Sequence, residues 1–149
     1  MLSIYPAVFF EEAESGYSVI FPDLNGAVTQ GDDLNEAMSM AVDCLAGYLY
    51  TLKLEGMDAP AASPVNAIDT AAVAADFDYN DYKSALVNMV SVDVEMYAQL
   101  HFNKSVRKTV TIPQWMADTA AVRKLSLSKV LQESLKERFA VPTTKKQFA

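Results

Sequence analysis

Apolar and polar residues alternate at the start of the chain. Leu2, Ile4, Val8 and Phe10 share one face of a predicted strand, Ser15-Gly16 supplies a turn, and Tyr17, Val19 and Phe21 alternate again. A β-meander follows from this pattern. FPDLNG interrupts it with loop residues, and Ala27 to Gln30 then provides a short third strand. The period changes after Asp33. Leu34, Ala37, Met38, Ala41, Leu45, Tyr48, Leu49 and Leu52 recur at steps of three and four, the stripe of a helix about five turns long that lies against the sheet. Asp33 and Glu36 form a D-x-x-E capping box at its start, and Gly56 ends it.

Past a Pro-, Ala- and Ser-rich loop, DAPAASPVNAIDT, the run AAVAADF suggests a short helix. Residues 86–96, LVNMVSVDVEM, place Leu86, Val90, Val92, Val94 and Met96 on one side of a fourth strand that returns to the sheet. AQLHFNKS, residues 98–105, reads as a hinge. The stretch VRKTVTIPQW then alternates once more, with Val110 and Ile112 on one face and Arg107, Thr109 and Thr111 on the other. Pro113 stops that strand and suits the first turn of a helix, QWMADTAAVRK. Ser126 can cap a second helix, LSKVLQESLKERFA, whose apolar positions are Leu127, Val130, Leu131, Leu135 and Phe139.

Charge divides the chain at the hinge. Residues 1–100 hold two basic and sixteen acidic side chains, a net −14; residues 101–149 hold ten basic and three acidic, a net +7. Such polarity fits two partners of opposite charge, a basic protein for the front and nucleic acid for the back, with a solvated acidic surface and a basic tail as the plainer alternative. The apolar runs are too short for a membrane span, and the N-terminus lacks the basic start and cleavage site of a signal peptide, so a cytoplasmic protein is expected. The single cysteine, Cys44, sits among Ala41, Val42 and Leu45 and reads as a buried thiol. His101, the one histidine, has no Cys, Asp or Glu at ligand spacing and reads as an incidental surface residue. No cofactor or metal is expected.

Strand, short helix and longer helix occupy about thirty-five residues, too few for a stable core of their own. A lone strand also leaves its backbone groups unpaired. Two copies can pair antiparallel and bury Val110, Ile112, Trp115, Val130, Leu131 and Leu135 between them, which makes a homodimer the expected state. The two strands then form a ribbon that fits the DNA major groove. RKTVTIPQWM followed by LSLSKVLQESL resembles the ribbon-helix-helix repressors, among the β-ribbon readers of DNA. That resemblance implies that Arg107, Thr109 and Thr111 read bases, while Ser126, Leu127 and Ser128 hold phosphate at a helix N-terminus. Lys104, Lys108 and Lys129 would add attraction to phosphates. Lys108 departs from the pattern, since such strands carry an apolar residue there.

The front half is similar to HicB antitoxins. The similarity rests on YPAVFFEEAESGYSVIFPDLNGAVTQGDDLNEAMSMAVDCLAGYL, above all FPDL-x-G-x-x-TQGDxLxEA, and on the PAAS loop; Ala27 replaces a family glycine. The resemblance implies an α+β chain with four regions. Residues 1–100 are a partial ribonuclease-H-like domain that binds toxin, 101–105 a hinge, 106–140 the ribbon-helix-helix domain and 141–149 a flexible tail. It implies a HicA-like basic ribonuclease as partner, double-stranded operator DNA as target, and an antitoxin that represses its own operon. Glu36 and Asp43 on the long helix are candidate toxin contacts by charge. Two alternatives stay open. One is a ligand-responsive ribbon-helix-helix transcription factor without a toxin partner. The other is a metal-dependent ribonuclease built on Glu11, Glu12, Asp23, Asp93 and Glu95, because that chemistry needs several carboxylates around metal ions.

Overall fold

The computed structural model describes residues 1–140, so the tail expected at 141–149 lies outside the described residues. The chain divides into two compact units, the first Met1–Lys104 and the second starting at Ser105. The first unit contains strands β1 (Leu2–Glu12), β2 (Tyr17–Ile20), β3 (Val28–Gly31) and β4 (Tyr82–Asp93), with helices α1 (Leu34–Leu54), α2 (Thr70–Asp76) and α3 (Val94–His101). A 3₁₀ turn spans Val65–Ala67. The sheet is antiparallel throughout, in the order β3-β2-β1-β4.

β1 is buried on both faces. Tyr5, Ala7 and Phe9 pack with Val19, Val90 and Val92 under α1, whose Ala37, Ala41, Leu45, Ala46 and Leu49 form the buried stripe. Val8, Phe10 and Ile20 face the other way, against Val73 and Ala74 of α2 and the rings of Tyr79 and Tyr82. Removing a large apolar side chain such as Phe9 or Phe10 from water stabilises the fold by roughly 1.5–3 kcal/mol. The alternation of Leu2, Ile4, Val8 and Phe10 is real, but only Val8 and Phe10 are covered; Leu2 and Ile4 stay exposed beyond α2.

Pro6 sits opposite Met89 in the β1–β4 ladder. With no N–H, proline cannot belong to a mutually hydrogen-bonded pair, so Pro6–Met89 is a non-hydrogen-bonded pair and its neighbours Tyr5–Val90 and Ala7–Asn88 carry the bonds. On its other side β1 pairs with β2 only from Val8 onward, so the missing donor interrupts no ladder there.

α1 begins at a box that differs slightly from the expected one. Asp33 accepts from the N–H of Glu36 at 2.8 Å, but Glu36 Oε2 accepts from the N–H of Asp32, one residue before the cap, at 2.6 Å. The helix is pressed onto β3. A Cβ on Gly31 would lie 2.3 Å from the nitrogen of Ala37, so only glycine fits. At the far end Gly56, at φ +68°, closes a Schellman motif in which the N–H of Met57 bonds the carbonyl of Leu52.

Two expectations are corrected at the end of this unit. The fourth strand starts earlier, at Tyr82, and stops at Asp93 rather than Met96. Asp93 accepts from the N–H of Met96 at 3.1 Å and so caps α3, turning Val94 to His101 into helix where a strand end and the start of a hinge were expected. α3 lies on α1: Tyr97 Oη donates to Asp43 at 2.9 Å, and the His101 ring stacks on Tyr97 with centroids 4.0 Å apart. His101 is exposed, the surface residue expected, and its contact is this stack one turn along its own helix.

The second unit contains α4 (Gln114–Val122) and α5 (Leu127–Arg138). A Schellman motif also ends α4, with Lys124 at φ +52° and the N–H of Leu125 bonding the carbonyl of Ala120. Residues 103–113 form no strand. The strand expected at Val106 to Ile112 is therefore not realised, and the backbone groups there have no ladder partner among the described residues. No helix among the described residues is long and apolar enough to cross a membrane.

Candidate functional site

Two regions carry the candidate residues, one in each unit. In the second unit Lys108, Val110 and Ile112 line an open groove of about 340 Å³ together with Leu127, Ser128, Val130, Leu131 and Ser134 of α5. Arg107, Thr109 and Thr111 do not line it and are exposed. A period of two is therefore present in the extended segment even without a ladder. Lys108, expected at phosphate, takes the groove side in the single chain. Lys104 and Lys129 are exposed.

Among the described residues the apolar members of this unit are largely exposed. Val110 is 61% and Trp115 65% exposed, and Ile112, Val130, Leu131 and Leu135 are also exposed. Ala120 is the only buried residue of the unit among those described. Ser126 caps α5 by accepting from the N–H of Lys129 at 3.4 Å, which leaves the N–H groups of Leu127 and Ser128 at the exposed first turn.

In the first unit the conspicuous FPDL motif performs a structural task. Asp23 accepts from both the N–H and the hydroxyl of Ser63, at 2.8 and 2.6 Å, and Tyr5 Oη donates to the carbonyl of Pro60 at 2.5 Å. These bonds lash the PAAS loop over the sheet. Within the FPDL turn Leu24 is fully buried, Gly26 takes φ +78°, and Ala27, in place of the family glycine, is buried and donates to the carbonyl of Leu24.

The carboxylates considered for metal chemistry do not converge. Glu11 and Glu12 lie at one end of β1, bonded by Ser84 and Ser18, whereas Asp93 pairs with Leu2 at the other end. Nine residue steps along the strand lead from Leu2 to Glu11, on the order of 30 Å. Glu95, expected on the last strand, is in α3 and meets Lys53 at 2.6 Å; this hydrogen bond and charge hold its carboxyl below the ordinary range. Asp93 is likewise depressed, first by the N-terminal ammonium 2.8 Å away and then by the N–H of Met96. Asp23 is engaged at Ser63. No group of His, Cys, Asp or Glu among the described residues could hold a metal ion.

Glu36 and Asp43 are both exposed or nearly so, and each already has an internal partner, Asp32 N–H and Tyr97 Oη respectively. Asp43 also borders a groove of about 540 Å³ beside α1, with Gly26, Ala27, Val28, Cys44, Gly47 and Tyr48. Cys44, expected to be buried, is half-buried, and burial, helped by the nearby Asp43, pushes its thiol above the usual range and favours the neutral form.

The chain thus joins an acidic α+β unit to a small basic helical unit with exposed apolar residues. Residues 5–133 match the family model described as HicB-like antitoxin of bacterial toxin-antitoxin system, and the chain belongs to that family. Among solved structures it is similar to a chain of a toxin-antitoxin complex from Streptococcus pneumoniae, at 28% identity and a TM-score of 0.59, covering 93% of this chain and 99% of that one. Among curated proteins, an uncharacterised 14.9 kDa protein of Haemophilus phage HP1 is 24% identical over 110 residues, 74% of this chain and 73% of its own length. Antitoxin HicB 1 of Photorhabdus laumondii is 49% identical over 41 residues, which span 28% of this chain and 26% of that protein.

Proposed function

We propose that this antitoxin neutralises a HicA-like, basic ribonuclease with its first unit and represses its own operon with its second. The reading assigns the first unit to a partial ribonuclease-H-like fold and the second to a ribbon-helix-helix module. The observation that carries it is the second unit's groove. Lys108, Val110, Ile112, Leu127, Val130 and Leu131 line it, so the extended segment sorts its residues into two sets while the apolar ones stay exposed among the described residues. A second copy supplies both missing elements, a ladder partner for residues 106–112 and a cover for the apolar side chains.

Pairing turns Arg107, Thr109 and Thr111 outward on a two-stranded ribbon. Arginine can bond guanine through two donors, and threonine can bond a base edge or touch a thymine methyl. The first turn of each α5, capped by Ser126, offers the N–H groups of Leu127 and Ser128 to a phosphate. Lys104 and Lys129 strengthen this hold without reading sequence. Lys108 keeps its aliphatic stem along the groove and extends its ammonium to the rim, where it too reaches the DNA backbone.

The first unit's part is supported by charge and by kinship. Residues 1–100 carry the net −14 that draws a basic protein, the family is one of antitoxins, and the similar pneumococcal chain comes from a toxin-antitoxin complex. Glu36 and Asp43 lie on the helix proposed to meet the toxin.

The test separates the two roles in one protein. The purified chain should block RNA cleavage by the cognate small basic ribonuclease at equimolar amounts and should retard its own promoter fragment. Changing Arg107 and Thr109 to alanine should abolish retardation and leave inhibition intact. Loss of both together would refute the division of labour.

A further inference from the structure

α1 carries a glycine that its own fold does not need. Gly47 stands inside the helix, where glycine is the poorest former after proline, and neither a turn nor a positive φ calls for it. A Cβ there would meet nothing within 4 Å. Gly31, by contrast, is glycine because the backbone of α1 presses on it. A glycine beside open space lets another backbone come close.

That open space is the groove of about 540 Å³ between α1 and the chain leaving the FPDL turn. Ala27, Val28, Tyr48 and Leu52 give it an apolar lining, of which Val28 is 46% exposed. Asp43 and Glu55 mark its limits along the helix, about 18 Å apart at 1.5 Å per residue. No cation among the described residues pairs with either. Tyr97 takes one oxygen of Asp43, and the other can accept from a cation. Residues 26–59 hold six acidic side chains and one basic, Lys53, which Glu95 already engages. The groove is therefore apolar along its lining and negative at its ends, which suits a basic partner with an apolar ridge.

We propose that a helix of the toxin lies along α1 in this groove, with a small residue against Gly47 and basic residues about three turns apart meeting Asp43 and Glu55. The inference rests on the reading of a basic ribonuclease as partner, and adds where it docks and with which element. Gly47 allows the two helix axes to approach to about 8 Å, the near end of ordinary helix packing. A strand fits less well, because β3 at this edge offers four residues and α1 packs on it. Charge speeds the encounter, and the apolar lining with the close approach at Gly47 sets its lifetime. Glu36 lies on α1 outside the lining, so it adds attraction without direct contact.

Titrating the full-length chain against RNA cleavage by the cognate small basic ribonuclease tests this. Gly47→Ala should keep or raise the melting temperature and yet weaken inhibition about tenfold, a split that a purely structural role would not produce. Gly47→Trp fills the groove and should weaken inhibition about a hundredfold or more. Glu55→Lys should slow association about tenfold without harming the fold, since a cation suits the end of α1. Glu14→Lys makes the same change of charge on the exposed turn between β1 and β2, outside the groove, and should stay within about twofold of the unchanged chain. All four variants should retard the promoter fragment as the unchanged chain does. If the unchanged chain inhibits and the Gly47 variants inhibit equally well, the proposal falls while the reading of the first unit stands. If the unchanged chain does not inhibit, both fall. Normal inhibition by a Gly47→Trp protein of half the mass in sedimentation would make the groove a contact between copies, which also overturns the proposal.

Discussion

Asp23 and Ser63, forty residues apart, are joined by two hydrogen bonds that tie the FPDL turn to the loop after α1. The bonds are partly buried and one partner is ionised, which places them among the stronger kind. Ser63→Ala removes the hydroxyl donor and keeps the backbone one. The first unit should lose about 1–2 kcal/mol in urea denaturation, while promoter binding by the folded protein is unchanged. A neutral effect on stability would show that the loop is held by Tyr5 and Pro60 alone.

Gly31 makes a sharper prediction. Gly31→Ala sets a Cβ against the backbone at Ala37, where no side chain can yield. The cost should be on the order of 3 kcal/mol or more, read as a large fall in the melting temperature. Gly47→Ala is the contrast, since a Cβ there meets nothing within 4 Å. It should be neutral or slightly stabilising.

Cys44 links burial to pH. Burial first, and then the charge of Asp43, raise its folded-state pKa above that of an ordinary thiol, so its neutral form is favoured in the fold. As pH rises through the unfolded value, the unfolded chain ionises first, and the thiol contributes a loss of stability with increasing pH. Below that range it contributes nothing. Alkylation of the native protein by iodoacetamide, followed from about pH 7 to 10, should be slower than for a free thiol and turn upward at higher pH. Rates equal to those of free cysteine would contradict its burial.

Much of this architecture is legible locally. The Asp33–Glu36 box, the three-and-four stripe of α1 and the stop at Gly56 depend on neighbouring residues, and all three are present with one bond displaced to Asp32. Features that depend on distant contacts are less legible. The pattern of β1 shows one apolar face, because the Tyr5, Ala7 and Phe9 set interleaves with it and gains meaning only from α1 above. α3 is hidden because VDVEM alternates like a strand; the signal that could have found it is Asp93 three residues before Met96, an acidic cap, with Tyr97 and His101 one turn apart. For the second unit, alternation at Lys108, Val110 and Ile112 is visible, yet a ladder needs a partner strand that one chain does not supply.

Arg107 is assigned to a base and Lys129 to a phosphate, and the two should respond differently. Arg107→Ala should cost about 1–3 kcal/mol on the cognate promoter and relax its sequence preference. Lys129→Ala should weaken binding to all DNA alike and flatten the dependence of affinity on salt by about one unit of slope for each phosphate it no longer neutralises. Fluorescence anisotropy on promoter and scrambled duplexes over a salt series distinguishes them. Parallel losses on both duplexes for Arg107→Ala would remove it from base recognition.

The segment from Lys108 to Ile112 offers the most direct test, because it has no ladder in one chain and a complete one in a ribbon. Amide hydrogen exchange of the full-length protein should show slow exchange on alternate residues of this segment at micromolar concentration, with protection falling on dilution as the strands part. Fast exchange at every concentration would mean that the ribbon does not form, and the DNA-binding half of the account would fail with it.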